Sequence, residues 1–109
     1  MTHTIINSQS ATANINSETF DMDGQRAGRN MSFQVNATSF NTSDATVKIQ
    51  HSNDNSNWAD LTDGSLTMAS GTTSQILTPI TNLGARYYRI VYTKNTNSAG
   101  TITVILNIQ

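Results

Sequence analysis

"TITVILNI", residues 101–108, decides how the rest of the chain is read. Ile102, Val104, Leu106 and Ile108 fall at every second position, the period of a pleated strand with one buried face. Thr101, Thr103 and Asn107 take the opposite face, where Ile105 is the exception. Apolar surface on the outer side of a sheet has to be covered by something, so Ile105 becomes a candidate contact residue. The preceding apolar run, "RYYRIVYT" at 86–93, is a second strand with Tyr88, Ile90 and Tyr92 against Tyr87, Arg89 and Val91. A strand apolar on both faces lies centrally or touches a neighbour with its outer side. Tyr87, Arg89 and Val91 therefore join Ile105 as candidate interface residues. The turn formers of "TKNTNSAG" between the two strands predict an antiparallel hairpin over 86–108.

Farther upstream, "ATVKIQHS" turns Val47 and Ile49 inward, and "MSFQVNAT", 31–38, does the same with Phe33 and Val35. "SLTMAS" at 65–70 and "SQILTPI" at 74–80 are shorter candidates, with Pro79 marking a sheet edge or a strand end. "HTII" and "ANINSETFDM" are weaker strands near the start. Together they make seven or eight short strands, about ten residues apart, with no helix. That pattern predicts an all-β fold, an antiparallel, jelly-roll-like β-sandwich. Composition agrees, with 36% hydrophobic and only 12% charged residues. The balance is Asn, Ser and Thr, which favour turns and strands and compete with helices for backbone hydrogen bonds. The 109 residues suit one domain. "DMDGQRAGRN", 21–30, is the most loop-like stretch, so residues 1–30 are open to forming an extended N-terminal arm and loop.

Charge narrows the function. A net charge of −1 offers no electrostatic footprint for nucleic acid. Without cysteine there is no disulfide, thiolate metal site or cysteine nucleophile. The N-terminus has no basic start or apolar run of a secretory signal, and no stretch is long and apolar enough for a membrane span. The expected product is made in the cytoplasm, with neither nucleic acid nor membrane as partner.

"QHSNDNSNWADL", residues 50–61, sets a polar turn against the only Trp of the chain. Asn and Asp tolerate left-handed backbone and bond their own turns, so Asp54 is expected to hold the turn. Trp58 and Leu61 at its foot are expected to plug the hairpin, since an indole buries a large apolar area. The same oxygens could bind calcium, as could Asp21, Asp23, Asp44, Asp60 and Asp63, but turn chemistry accounts for them equally well and no twelve-residue calcium loop is present. His3 and His51 have no ligand partner at metal-binding spacing, and no nucleophile and base are paired. Tyr87, Tyr88 and Tyr92 could stack on sugars, or divide between core and interface. Three N-glycosylation patterns, at Asn30, Asn36 and Asn41, are expected by chance in so Asn- and Ser-rich a chain.

The segment "VKIQHSNDNSNWADL" is similar to the S-x-D-G-x-x-W hairpin of discoidin-type, galactose-binding-like jelly rolls. It matches at Ser52, Asp54 and Trp58 and has Asn55 in place of the usual Gly. "LGARYYRIVYT" resembles the same group's a-R-Y-x-R-I strand at Ala85, Arg86, Tyr87, Arg89 and Ile90. The resemblance implies architecture; the group's ligand loops lie outside the matching pieces. In overall pattern the chain also resembles small accessory structural proteins of tailed bacteriophages. That implies a non-enzymatic virion protein, a capsid decoration or fibre-base component, made in the host cytoplasm. It would be a homo-oligomer bound to the major capsid protein or another virion protein, without cofactor. The alternative is a carbohydrate-binding adhesion module.

Overall fold

The computed structural model describes residues 2–22 and 29–108, with 78, 79 and 82 described by their backbone alone. These residues form nine strands and no helix: β1 Thr2–Ser10, β2 Ile15–Asn16, β3 Phe20–Asp21, β4 Arg29–Phe40, β5 Thr46–Ser52, β6 Ala59–Thr67, β7 Gly71–Leu83, β8 Tyr87–Thr93 and β9 Thr101–Ile108. They build two antiparallel sheets packed as a sandwich. The first runs β1-β9-β4-β7; the second runs β2-β8-β5-β6, with β3 also on β8. Taking β2 and β3 as one interrupted strand, this is the eight-position order of a jelly roll.

Period-two alternation supplies the core. Phe33 and Val35 from β4, Val47 and Ile49 from β5, Tyr88, Ile90 and Tyr92 from β8, and Ile102, Val104 and Leu106 from β9 are fully enclosed. Each large apolar side chain so buried contributes about 1.5–3 kcal/mol. Pro79 lies in β7, an edge strand, where a missing N–H costs least. The start of the chain is a strand where the sequence allowed an arm: β1 pairs along β9 from Thr2↔Asn107 to Ser10↔Thr101, and Ile5 and Ile6 enter the core. Residues 23–28 of the loop-like stretch, Asp23 among them, lie outside the described residues.

One expectation fails outright. Strands β8 and β9 do not form a hairpin; β8 pairs with β5, and β9 with β1 and β4, in the opposite sheet. The turn formers of 94–100 serve a crossing between sheets. Its hub is Asn97, fully buried. The Asn97 amide nitrogen reaches the carbonyls of Ala11 at 3.2 Å and Ala99 at 2.9 Å and the Tyr92 hydroxyl at 3.1 Å, while its oxygen accepts from the Asn41 N–H. Tyr92 donates its own hydroxyl to Ala11 at 2.9 Å. Gly100 then enters β9 with φ +91°, and a Cβ there would collide with the carbonyls of Thr38 and Ser39. Consecutive strands pair only at β5–β6, the hairpin around Asp54.

Candidate functional site

The β5–β6 turn is held by oxygen acceptors, with Asp54 at its centre. Its carboxylate accepts from the N–H groups of Ser56 (2.9 Å) and Asn57 (2.8 Å), the Asn57 side-chain amide (2.9 Å) and the Ser52 hydroxyl (2.9 Å). Ser52 in turn accepts from the N–H groups of Asp54 and Asn55, and Asn55 takes a left-handed φ of 59°. The Asn57 N–H first, then its side-chain amide, the Ser56 N–H and the Ser52 hydroxyl hold the Asp54 carboxyl far below the usual range. Both of its oxygens are committed to the turn. Among the described residues no three His, Asp or Glu side chains are placed to share a metal ion.

Trp58 is not a core plug. It is half-buried, lies outside the buried cluster, and carries the Arg89 guanidinium 4.4 Å above its ring centre. Leu61 alone of the pair packs against the core. The physical reason is competition: a cation over the indole face and a ladder of outer-face polar groups hold the ring on the surface. Arg89 donates to Gln50 at 2.9 Å, Gln50 to Asp60 at 2.8 Å, and Lys48 to Asp60 at 3.1 Å. The Gln50 bond, then Lys48, lowers the Asp60 pKa. Tyr87 lies beneath Arg86, with the cation 4.8 Å from the ring centre, and Arg86 pairs in two-pronged fashion with Asp21 at 3.1 and 3.2 Å.

The four candidate interface residues do not share a surface. Tyr87, Arg89 and Val91 line the outer face of the second sheet, while Ile105 is on the outer face of the first. There Ile105 stands opposite Thr4 on one side and Gln34 on the other, and Gln34 opposite Ile76. Ile76 is 59% exposed, and it is the large hydrophobic side chain left open to solvent among the described residues. Arg29 is the only Lys, Arg, Asp or Glu in the strands of this sheet. Asp21, Lys48, Asp60, Asp63 and Arg89 all belong to strands of the other.

The two histidines belong to different sheets, His3 to β1 and His51 to β5. His3 stacks on Phe20 with 5.3 Å between ring centres. His51 stands opposite buried Tyr88, 6.4 Å between ring centres. Two hollows meet at His51. One of about 290 Å³ is lined by His51, Asp60, Leu61, Thr62, Asp63, Ile80 and Thr81. The other, of about 230 Å³, lies toward Ser52, Asn53, Asn57, Ala59 and Ala85. Sequence reasoning missed Ile76, Asn97 and the meeting of Asp63 and His51 in one hollow. Ile76 carried a signal in sharing the face of Ser74, opposite to that of Leu77; Asn97 looked like any other turn Asn.

Among the described residues, this geometry defines a small jelly-roll sandwich with charged residues on the outer face of one sheet and almost none on the strands of the other. The chain belongs to the family described as a domain of unknown function, DUF6385, whose model matches residues 26–109. No curated protein sequence matches it. Among solved structures it is similar to the PBSX exported protein XepA, with 17% identity and a TM-score of 0.72 over 99% of this chain and 36% of that one. It is likewise similar to the SPBc2 prophage-derived protein YomS, with 12% identity and a TM-score of 0.64 over 100% and 92% of the two chains. A carbohydrate-binding module of the CBM4 type aligns with 16% identity and a TM-score of 0.53 over 99% and 70%. The chain thus spans about a third of XepA. At these identities the likeness is one of fold.

Proposed function

We propose that this chain is a non-enzymatic structural protein of a phage-derived particle, docked on a capsid or fibre base through the outer face of the β1-β9-β4-β7 sheet. The observation that carries this reading is the partition of charge between the two sheets. Protein interfaces are depleted of charge at their centre. The face around Ile76, Gln34 and Ile105 meets that requirement with hydroxyls, amides and two isoleucines. Many copies on a lattice would multiply a modest contact by avidity. The fold likeness to two prophage proteins supports the setting, and with it a virion or extracellular location. The major capsid protein or another virion protein is the expected partner, with self-association on the same face.

The alternative carbohydrate reading, resting on Trp58 and Tyr87 as stacking platforms, has less support. Arg89 and Arg86 already occupy one face of each ring. The deciding experiment counts this protein in purified particles of its source by quantitative mass spectrometry against the major capsid protein. A count in the tens to hundreds per particle, on the order expected of a lattice component, supports the reading. Absence from particles overturns it.

A further inference from the structure

We propose that the cleft between the edges of β6 and β7 binds a single neutral sugar ring, such as the terminal residue of a glycan. The cleft is built by a bulge. Between the pairs Lys48↔Ser65 and Gln50↔Asp60, β5 contributes one residue, Ile49, and β6 contributes Leu61 to Gly64. Gly64 is needed there: a Cβ would lie 2.6 Å from the Ile49 Cγ2. Asp63 adopts φ 59°, a left-handed conformation in which Asp is one of the few tolerated residues. The bulge lifts Leu61, Thr62 and Asp63 into a lip that faces Ile80 and Thr81 of β7, with His51 behind. At its closed end the Gln75 amide ties the two edges together, donating to the Thr67 carbonyl at 3.2 Å and accepting from the Ala69 N–H at 3.1 Å.

The lining selects the ligand. Its floor is apolar, from Leu61 and buried Ile80. Its rim carries the Thr62 and Thr81 hydroxyls and two carboxylates. Asp60 is engaged by Gln50 and Lys48, but the side chains of Asp63 and His51 have no hydrogen-bond partner among the described residues. Among the described residues no Lys or Arg lines the cavity, so an anionic ligand finds no counter-charge there. A sugar ring offers hydroxyl donors to the carboxylate and the imidazole and a C–H face to the floor. A bare ammonium would satisfy Asp63 and leave the floor unmatched. The volume, about 290 Å³, is at the small end for ligand pockets and holds one ring rather than a chain. This site is separate from the uncharged sheet face and does not rest on the docking proposal.

The test is an amide and methyl NMR titration of the whole chain with the methyl β-glycosides of glucose, galactose and N-acetylglucosamine. Each is taken to about 100 mM, above the millimolar Kd that the contacts of one ring support. At least one glycoside is expected to shift Leu61, Thr62, Asp63, Ile80 and the His51 ring. Asp63→Asn keeps the left-handed tolerance and removes the charge, so it folds and weakens binding about tenfold. Thr81→Val is the second variant, with a smaller loss in the same direction. Silence from all three glycosides, shifts centred on Trp58, or unchanged affinity in Asp63→Asn would each overturn the proposal. The copy number of Asp63→Asn in particles is expected to be unchanged, which separates this site from the docking face.

Discussion

Asn97 shows how much one side chain can organise. It closes a crossing between sheets with an amide that meets acceptors on three residues and an oxygen that meets the Asn41 N–H. Asn97→Ala removes these bonds and leaves only the Tyr92–Ala11 bond of the hub, and is expected to cost about 2–4 kcal/mol, read as a lower urea midpoint at unchanged slope. Asp54 makes a pH-dependent contribution of opposite visibility, at the surface. Its folded-state pKa is depressed below the unfolded value of about 4, so its stabilisation is complete above that value and is lost as pH falls toward the folded one. The difference in thermal midpoint between the native chain and Asp54→Ala should therefore narrow as pH drops from about 5 to about 2. Trp58 tests the cation above it. Arg89→Ala is expected to red-shift the indole emission while leaving the fold intact, because both side chains lie outside the core.

At the scale of the element, β6 is the informative strand. Its Gly64 lies flat on Ile49, and the bulge before it turns a regular ladder into the lip of a cleft. Gly64→Ala should cost about 1–3 kcal/mol, the range for overpacking, unless the Ile49 methyl rotates away. Chemical denaturation measures the cost. Strands β4, β5, β8 and β9 were readable from alternation alone, since each has one fully enclosed face. Strands β2 and β3 fall inside the weaker candidate "ANINSETFDM", whose break in two was not legible because two residues carry no period. The "DG" at 63–64 reads as a turn in sequence and is a bulge inside a strand, because the same left-handed geometry serves both.

At the scale of the whole molecule the two sheets present different outer faces. Paired charges cover one; the other presents Ile76, Gln34 and Ile105 with no charged neighbour on its strands except Arg29. Ile76→Asp and Ile105→Asp should leave the thermal midpoint within a few degrees, as surface substitutions of about 0.5 kcal/mol do. On the docking proposal, each is expected to lower the copy number in particles severalfold, and the double variant to abolish incorporation. Normal incorporation of the double variant would remove this face as the docking surface.

The sequence by itself determined the class of the fold, the strands with an enclosed face, and the Asp54 turn. Those depend on local periods and local hydrogen bonds, which neighbours in the chain carry. Only the tertiary structure decided that β8 and β9 belong to opposite sheets, since a run of turn formers looks the same whether it closes a hairpin or crosses a sandwich. It also decided that Trp58 lies under Arg89, 31 positions away in the chain, and that Asp63, His51 and Ile80 face one cleft. Such encounters are set by sheet pairing and register, and pairing partners leave no mark on the residues between them.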